Sequence, residues 1–202
     1  MTAMTEVDFW FDPICPWAWI TSRWMLEVEQ VRPVRARWHV MSLAVLHEGD
    51  DLPEEYAQVM REAMSMGRVL IAAERRHGPD VVLPLYTAIG TRVHENKADR
   101  DRGTVEGALR EVGLPVDLAE AMTSSSYDEA VRASHRAALD QVGEGVGTPV
   151  ISTNGHGIFG PVVSPIPRGE AAGRLWDGVQ LCLGVDGFFE LKRSRTRDPV
   201  FD

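Results

Sequence analysis

Hydrophobic and polar positions recur along the first 42 residues with two different periods. Residues 7–12 are aromatic and rich in β-forming side chains, and residues 34–40 alternate, so both segments predict strands. Between them, apolar residues recur at helical spacing over residues 17–28, which predicts a helix that begins near Cys15. The order and size of these elements indicate a βαβ unit.

The middle of the chain has mostly helical periodicity, interrupted by segments rich in Gly, Pro and Ser. Five helices are predicted there: 54–66, 67–77, 83–94, 104–112 and 127–141. Strand character returns after residue 146 as two short strands around an Asn154-Gly155 turn, followed by a last helix. We interpret this order as an α/β fold, βαβ then ββα. Residues 1–52 and 141–202 form its sheet domain, and residues 53–140 form an inserted all-helical domain.

Composition and charge narrow the classes of protein that the chain can belong to. The 202 residues carry a formal net charge of −9, which argues against binding to nucleic acid or to an anionic membrane surface. The first eight residues lack the basic region of a signal peptide, and no apolar run reaches the roughly 20 residues of a membrane span. We therefore expect a cytoplasmic protein. The sequence leaves open whether it is a monomer or a homodimer.

The two cysteines, Cys15 and Cys182, are too few for a disulfide framework. Cys15 lies at a predicted helix start, where free N–H groups and the helix dipole favour a thiolate, so we expect a lowered pKa. Cys182 falls in an apolar helix and is expected to be buried. Thr148-Pro149 leads into a strand and is a candidate cis peptide. The basic C-terminal tail is expected to wrap the surface.

Other candidate residues carry weaker signals. His47 and Tyr56 follow the second strand and should fall near Cys15, where they could assist proton transfer or donate to a substrate oxygen; ordinary structural roles are as well supported. The histidines lack metal-ligand spacing, so no metal is expected. Gly143–Gly147 lacks the Lys of a phosphate loop, and no dinucleotide fingerprint occurs, so no flavin is expected.

The segment Phe9–Trp17, FWFDPICPW, resembles the signature of the DsbA family of thioredoxin-like proteins. Several other segments resemble the actinobacterial branch of mycothiol-dependent nitroreductases: His39–Leu43, Asp51–Tyr56, Phe159–Pro161 and Phe188–Arg193. The resemblance implies a thioredoxin-like fold of the DsbA type and a cytosolic thiol oxidoreductase. It also implies mycothiol as the electron-donating co-substrate, with a small molecule or a disulfide as the second substrate.

The resemblance also assigns expected roles within the site. Cys15 is the nucleophile, Pro16 and the helix start activate it, and Trp17 forms a substrate wall. Thr148 and Pro149 would dock the thiol partner.

Ala18 departs from the Cys-Pro-Trp-Cys motif of the best-known members of that branch. Without a second cysteine, Cys15 cannot form an internal disulfide and must act with an external thiol. Two alternatives stay open. One is a mycothiol-dependent transferase or isomerase resembling kappa-class glutathione transferases and hydroxychromene-carboxylate isomerases. The other is a thiol-binding homologue without turnover.

Overall fold

A computed structural model describes residues 4–201 and contains a mixed four-stranded sheet of order β2-β1-β3-β4. The strands are β1 (Thr5–Phe11), β2 (Val34–Val40), β3 (Val150–Thr153) and β4 (His156–Phe159). β1 pairs in parallel with β2, while β3 pairs antiparallel with both β1 and β4. This arrangement confirms the predicted α/β class and its βαβ and ββα halves.

Seven α-helices surround the sheet within residues 4–201. They are α1 (Pro16–Val31), α2 (Leu43–Leu46), α3 (Glu54–His77), α4 (Val82–Gly90), α5 (Arg102–Glu111), α6 (Asp128–Val142) and α7 (Gly169–Leu183). A π-helix, Thr91–Glu95, continues α4, and 3₁₀ segments cover Pro79–Val81, Val116–Thr123 and Ser125–Tyr127. Helices α3 to α6 therefore lie between β2 and β3 in the chain. The division into two domains at residues 53 and 140 stays a prediction.

The two helices predicted on either side of residue 67 form one continuous helix, α3, so the predicted break there is wrong. Gly67 lies buried inside α3, where a Cβ would make an ordinary van der Waals contact of 3.5 Å with Cγ1 of Val40 on β2. The helix continues through this residue and packs against the sheet.

The two faces of β1 are buried by different helices. Phe9 and Phe11 point into the main core that α1 also lines, and the ring of Phe9 lies 4.7 Å from that of Trp38 on β2. Trp10, on the opposite face, packs against Ala138 of α6. Burial on both faces fixes the register of β1, and with it the position of the loop that begins at its carboxyl end.

Two buried tryptophans of α1 pack it against neighbouring helices. Near its start, a Cβ on Gly90 of α4 would overlap the ring of Trp19, so only a glycine permits this approach. Further along, Trp24 donates a 3.1 Å hydrogen bond to the carbonyl oxygen of Ala172 on α7. The helix that begins beside Cys15 is therefore fixed in position. Within residues 4–201, no helix has the length and apolar character needed to cross a bilayer.

Candidate active site

Cys15 caps the amino terminus of α1. Its sulfur accepts the backbone N–H of Ala18 at 3.4 Å and donates to the carbonyl oxygen of Thr148 at 3.6 Å. Pro16 occupies the first helical turn, where a missing N–H leaves no helical hydrogen bond unmade. The side chain is only 6% exposed. The predicted position of Cys15 at a strand-to-helix junction is therefore confirmed, and its side chain is almost completely buried there.

Thr148 and Pro149 bring a second part of the chain to this thiol. The peptide bond between them is cis, as predicted. The Thr148 hydroxyl accepts the backbone N–H of Asp12 at 3.2 Å and donates to the carbonyl oxygen of Trp10 at 3.4 Å. These bonds join the segment before β3 to the end of β1, so the Thr148 carbonyl is held against the Cys15 sulfur.

Asp12 is a fully buried carboxylate next to the site. Its oxygens accept the backbone N–H groups of Ile14 at 2.9 Å and Leu43 at 2.7 Å, which ties the cysteine loop to the start of α2. Burial raises the pKa of Asp12 to about 6, and the two N–H bonds and the charge of Arg100 only partly oppose that rise. In the folded chain, Asp12 therefore changes from the neutral acid to the carboxylate near pH 6.

The expectation of a lowered Cys15 pKa is wrong for this conformation. Burial raises the pKa of the thiol to about 12, and the negative charge of Asp12 adds to the increase. The N–H groups of Ala18 and Trp17 and the charge of Arg195 favour the thiolate but do not compensate. The helix start does stabilise the thiolate, as argued from sequence, but desolvation outweighs it. Cys15 is held as a neutral thiol while the site stays closed.

Trp17 and Ala18 occupy different environments within the same turn. Trp17 is half-buried, and the guanidinium carbon of Arg195 lies 5.0 Å from its ring centroid. Ala18 is completely buried, at the position where a second cysteine would stand. Cys182 is a free thiol on α7 and is half-buried, so the expectation that it would be fully buried is wrong. Leu181, the residue before it, and Val185, just beyond the end of α7, are both exposed.

His47 and Tyr56 lie together in the connection after β2. Their rings are 5.8 Å apart and nearly perpendicular, and Nδ1 of His47 is 2.9 Å from a carboxylate oxygen of Asp50. The hydrogen bond from Leu43 to Asp12 anchors the start of α2, and His47 follows its last residue. His47 at the end of α2 thus contacts Tyr56 in the first turn of α3, and their roles in substrate binding stay predictions.

Three residues near the site were not singled out from sequence as part of it: Asp12, His94 and Arg195. Asp12 entered the sequence analysis only within the first predicted strand and the Phe9–Trp17 signature, although an acid three residues before the cysteine was a local signal. His94 lies at 3.0 Å from the carbonyl oxygen of Pro13, and its ring stacks on Trp19 with centroids 5.6 Å apart. Burial lowers the pKa of His94 to about 4, so it is neutral at pH 7. Arg195 gave no local signal.

The fold and the cysteine at the helix start, opposed by a cis-proline segment, define a thioredoxin-fold protein of the DsbA type, and more broadly a thiol-dependent oxidoreductase. Residues 14–193 match the model of the Rv2466c-like family, described as mycothiol-dependent nitroreductase Rv2466c. The chain belongs to this family.

The chain is also similar to individual known proteins. The chain is 30% identical over 196 residues to the uncharacterized protein Rv2286c of Mycobacterium tuberculosis (strain ATCC 25618 / H37Rv), covering 96% of this chain and 84% of the relative. Among solved structures, the probable DsbA oxidoreductase SCO1869 from Streptomyces coelicolor superposes with a TM-score of 0.61 at 16% identity, over 95% and 94% of the two chains. The cytosolic disulfide reductase DsbM from Pseudomonas aeruginosa with GSH gives 0.55 at 17% identity, over 87% and 98%. These structures are similar in fold.

Proposed function

We propose that the chain is a cytoplasmic thiol oxidoreductase that uses Cys15 as its only redox nucleophile and mycothiol as its reductant. The single observation that carries this proposal is the setting of the Cys15 sulfur. It lies between the N–H of Ala18 and the carbonyl oxygen of Thr148, with an alanine in the position of a resolving cysteine. Family membership supports mycothiol as the thiol partner.

A monothiol cycle with a mycothiol-containing disulfide needs two exchanges. In the first, the Cys15 thiolate attacks the mycothiol sulfur, forms a mixed disulfide and releases the other half of the substrate as a thiolate. In the second, a free mycothiol thiolate attacks the mycothiol sulfur of that adduct, which releases oxidised mycothiol and restores Cys15. For a nitro-type substrate, two mycothiols would supply two electrons and two protons, giving a nitroso product, water and oxidised mycothiol.

The residues around Cys15 have distinct tasks in this proposal. Thr148 presents its backbone beside the sulfur and, with Pro149, docks the incoming thiol as an extended segment. Pro16 and the start of α1 stabilise the thiolate once the site opens to solvent, since the N–H of Ala18 already points at the sulfur. Trp17 supplies an apolar wall.

We assign His47 and Tyr56 to the binding of the second substrate. The Leu43–Asp12 hydrogen bond, which ties the start of α2 to the cysteine loop, and the contact of His47 with Tyr56 of α3 support this assignment. An imidazole and a phenol in contact offer one proton acceptor and one donor to a bound substrate.

The decisive experiment is intact-mass analysis after treatment with oxidised mycothiol. We expect one mycothiol adduct on the wild-type chain, none on Cys15→Ser, and an undiminished adduct on Cys182→Ser, the matched control for the other thiol. Added free mycothiol should then remove the adduct and yield oxidised mycothiol. An adduct that forms on Cys182 alone, or no adduct at all, would contradict the proposal.

A second candidate function is a mycothiol-dependent transferase or isomerase. The observation that favours it is Ala18, buried where a second cysteine would stand, because a site without that cysteine cannot form an internal disulfide. Product analysis with mycothiol and an electrophile distinguishes the two functions. A thioether product indicates transfer, whereas oxidised mycothiol indicates redox chemistry.

A further inference from the structure

The C-terminal segment, residues 188–201, returns from α7 to the neighbourhood of Cys15. Its end is attached at two points. The Ser164 hydroxyl accepts the backbone N–H of Val200 and donates to the carbonyl oxygen of Asp198, both at 3.1 Å. The half-buried ring of Phe201 lies 5.8 Å from that of His94, whose imidazole contacts the cysteine loop at Pro13. The segment is therefore docked beside the site rather than extended away from it.

This docking brings Arg195 to the motif turn. Its guanidinium carbon lies 5.0 Å from the ring centroid of Trp17, within the range of a cation–π contact. Trp17 is only two residues after Cys15, and the positive charge of Arg195 lowers the pKa of that thiol. Arg195 is itself exposed, so its charge faces the same solvent from which a substrate must arrive.

We propose that Arg195 is a further residue of the Cys15 site: held over Trp17 by the docked C-terminal segment, it places a positive charge beside the sulfur and favours anionic reaction partners. The inference rests on the proposed role of Cys15 as nucleophile. It goes beyond that role because it assigns a charge preference to the entrance of the site. It also gives the basic tail a task other than covering the surface.

The other charged and titratable groups around Cys15 do not supply this positive charge. Asp12 acts in the opposite direction because its carboxylate disfavours the thiolate. Burial lowers the pKa of His94 and raises that of Tyr86, which leaves both neutral near pH 7. Arg100 acts on Asp12 and His94, and it is paired with Glu62 at 3.2 Å. Arg195, held over the ring of Trp17 two residues from Cys15, is thus the cation that we assign to the entrance of the site.

The test compares alkylation of Cys15 by two reagents of similar size, anionic iodoacetate and neutral iodoacetamide. Rates are measured in a Cys182→Ser background, so that Cys15 is the one remaining thiol. The ratio of the two rate constants reports the charge at the sulfur, while changes in access alter both rates together. The variants are Arg195→Ala, the charge-conserving Arg195→Lys, and Arg197→Ala as a control on an exposed arginine two residues further along.

We expect Arg195→Ala to lower the iodoacetate-to-iodoacetamide ratio roughly two- to five-fold at low salt, the size of effect that an exposed charge produces. High salt should remove the difference, because it screens an exposed charge. Arg195→Lys and Arg197→Ala should keep the wild-type ratio.

Two results would overturn the inference. One is that both rates rise equally in Arg195→Ala with an unchanged ratio, which would make the segment a cover and nothing more. The other is that Arg197→Ala lowers the ratio as much as Arg195→Ala, which would make the effect one of overall charge. Failure of the proposed function is distinguishable from both, because it appears as the absence of a mycothiol adduct on Cys15 while the ratio of the two alkylation rates still depends on Arg195.

Discussion

The sulfur of Cys15 lies 3.6 Å from the carbonyl oxygen of Thr148, a residue that comes 133 positions later in the chain. The Thr148 side chain maintains this relationship because its hydroxyl bonds both Asp12 N–H and the carbonyl oxygen of Trp10. One buried hydroxyl therefore holds two distant segments of the site together.

Replacing Thr148 by valine should weaken the fold as well as the site. Thr148→Val conserves shape but leaves the buried N–H of Asp12 without its acceptor, which costs about 1–3 kcal/mol. Thr148→Ser keeps the hydroxyl and serves as the control. Urea unfolding followed by tryptophan fluorescence gives both free energies of unfolding. A loss of stability in Thr148→Ser with none in Thr148→Val would show that the methyl group, rather than the hydroxyl, stabilises this junction.

Asp12 and His94 should make opposite contributions to the pH dependence of stability. The folded-state pKa of Asp12, about 6, exceeds its ordinary value of 3.8, so its contribution falls as pH rises from about 4 to 6. The pKa of His94, about 4, is below its ordinary value of 6.5, so its contribution rises over nearly the same interval. Each shift of about two units corresponds to roughly 3 kcal/mol.

We therefore expect the wild-type free energy of unfolding to change little from these two groups between pH 4 and 6.5. Relative to wild type, Asp12→Asn should gain stability as pH rises, and His94→Gln should lose it. Denaturant unfolding at several pH values measures the two slopes, whatever the offset caused by lost hydrogen bonds. Slopes of the same sign would contradict the assignment.

Asp12→Asn should also make Cys15 more reactive. The carboxylate disfavours the thiolate, and at pH 7.5 the thiolate fraction changes tenfold for each unit of pKa. We expect iodoacetamide to alkylate Cys15 roughly two- to ten-fold faster in this variant. Asp8→Asn, a change on β1 at a carboxylate paired with Arg37 and His39, is the control and should leave the rate unchanged.

Two helical glycines should respond to alanine in opposite directions. A Cβ on Gly90 would overlap the ring of Trp19, so Gly90→Ala should destabilise the chain by about 1–3 kcal/mol and change the tryptophan emission. A Cβ on Gly178 of α7 would meet no atom within 4 Å, and Gly178→Ala should stabilise by about 0.5–1 kcal/mol. Thermal unfolding distinguishes them. A stabilised Gly90→Ala would mean that Trp19 moves aside without cost.

Ala18→Cys should convert the monothiol site into a dithiol site. Mild oxidation would join the sulfurs of residues 15 and 18 in one disulfide, with loss of two hydrogens that intact-mass analysis detects. The mycothiol adduct should then be transient, since the new thiol attacks Cys15 and expels mycothiol. A stable adduct in this variant, equal to that of wild type, would show that the two sulfurs cannot meet.

The features predicted correctly from the sequence are those that depend on residues close together in the chain. The strand before Cys15 and the helix after it follow from local periodicity and from Pro16 at the helix start, and both are present as β1 and α1. Gly67 was misread because the same residue type ends helices in some settings and lies inside them in others. The packing of this residue beside Val40 of β2 exists only in the folded chain.

The electrostatics of the site were beyond sequence reasoning for a similar reason. The helix-start argument for the Cys15 pKa is local, while the larger effect, burial, comes from segments that meet only in the folded chain. Asp12 is buried by contacts with Leu43 and Thr148, which lie 31 and 136 positions away. Arg195 lies in the C-terminal segment and contacts Trp17 only in the folded chain. Neither hydrophobic periodicity nor motif spacing reveals contacts between residues so far apart in the chain.

With an alanine buried at position 18, release of an adduct from Cys15 in the proposed cycle would be a bimolecular event. A two-cysteine enzyme clears its own adduct at a fixed rate, whatever the composition of its surroundings. In the proposed cycle the waiting time would be inversely proportional to the concentration of free thiol. The fraction of chains that carry an adduct would therefore rise as the thiol pool is exhausted and fall as it recovers, so that the alanine at position 18 would couple the occupancy of the site to the reducing capacity around it.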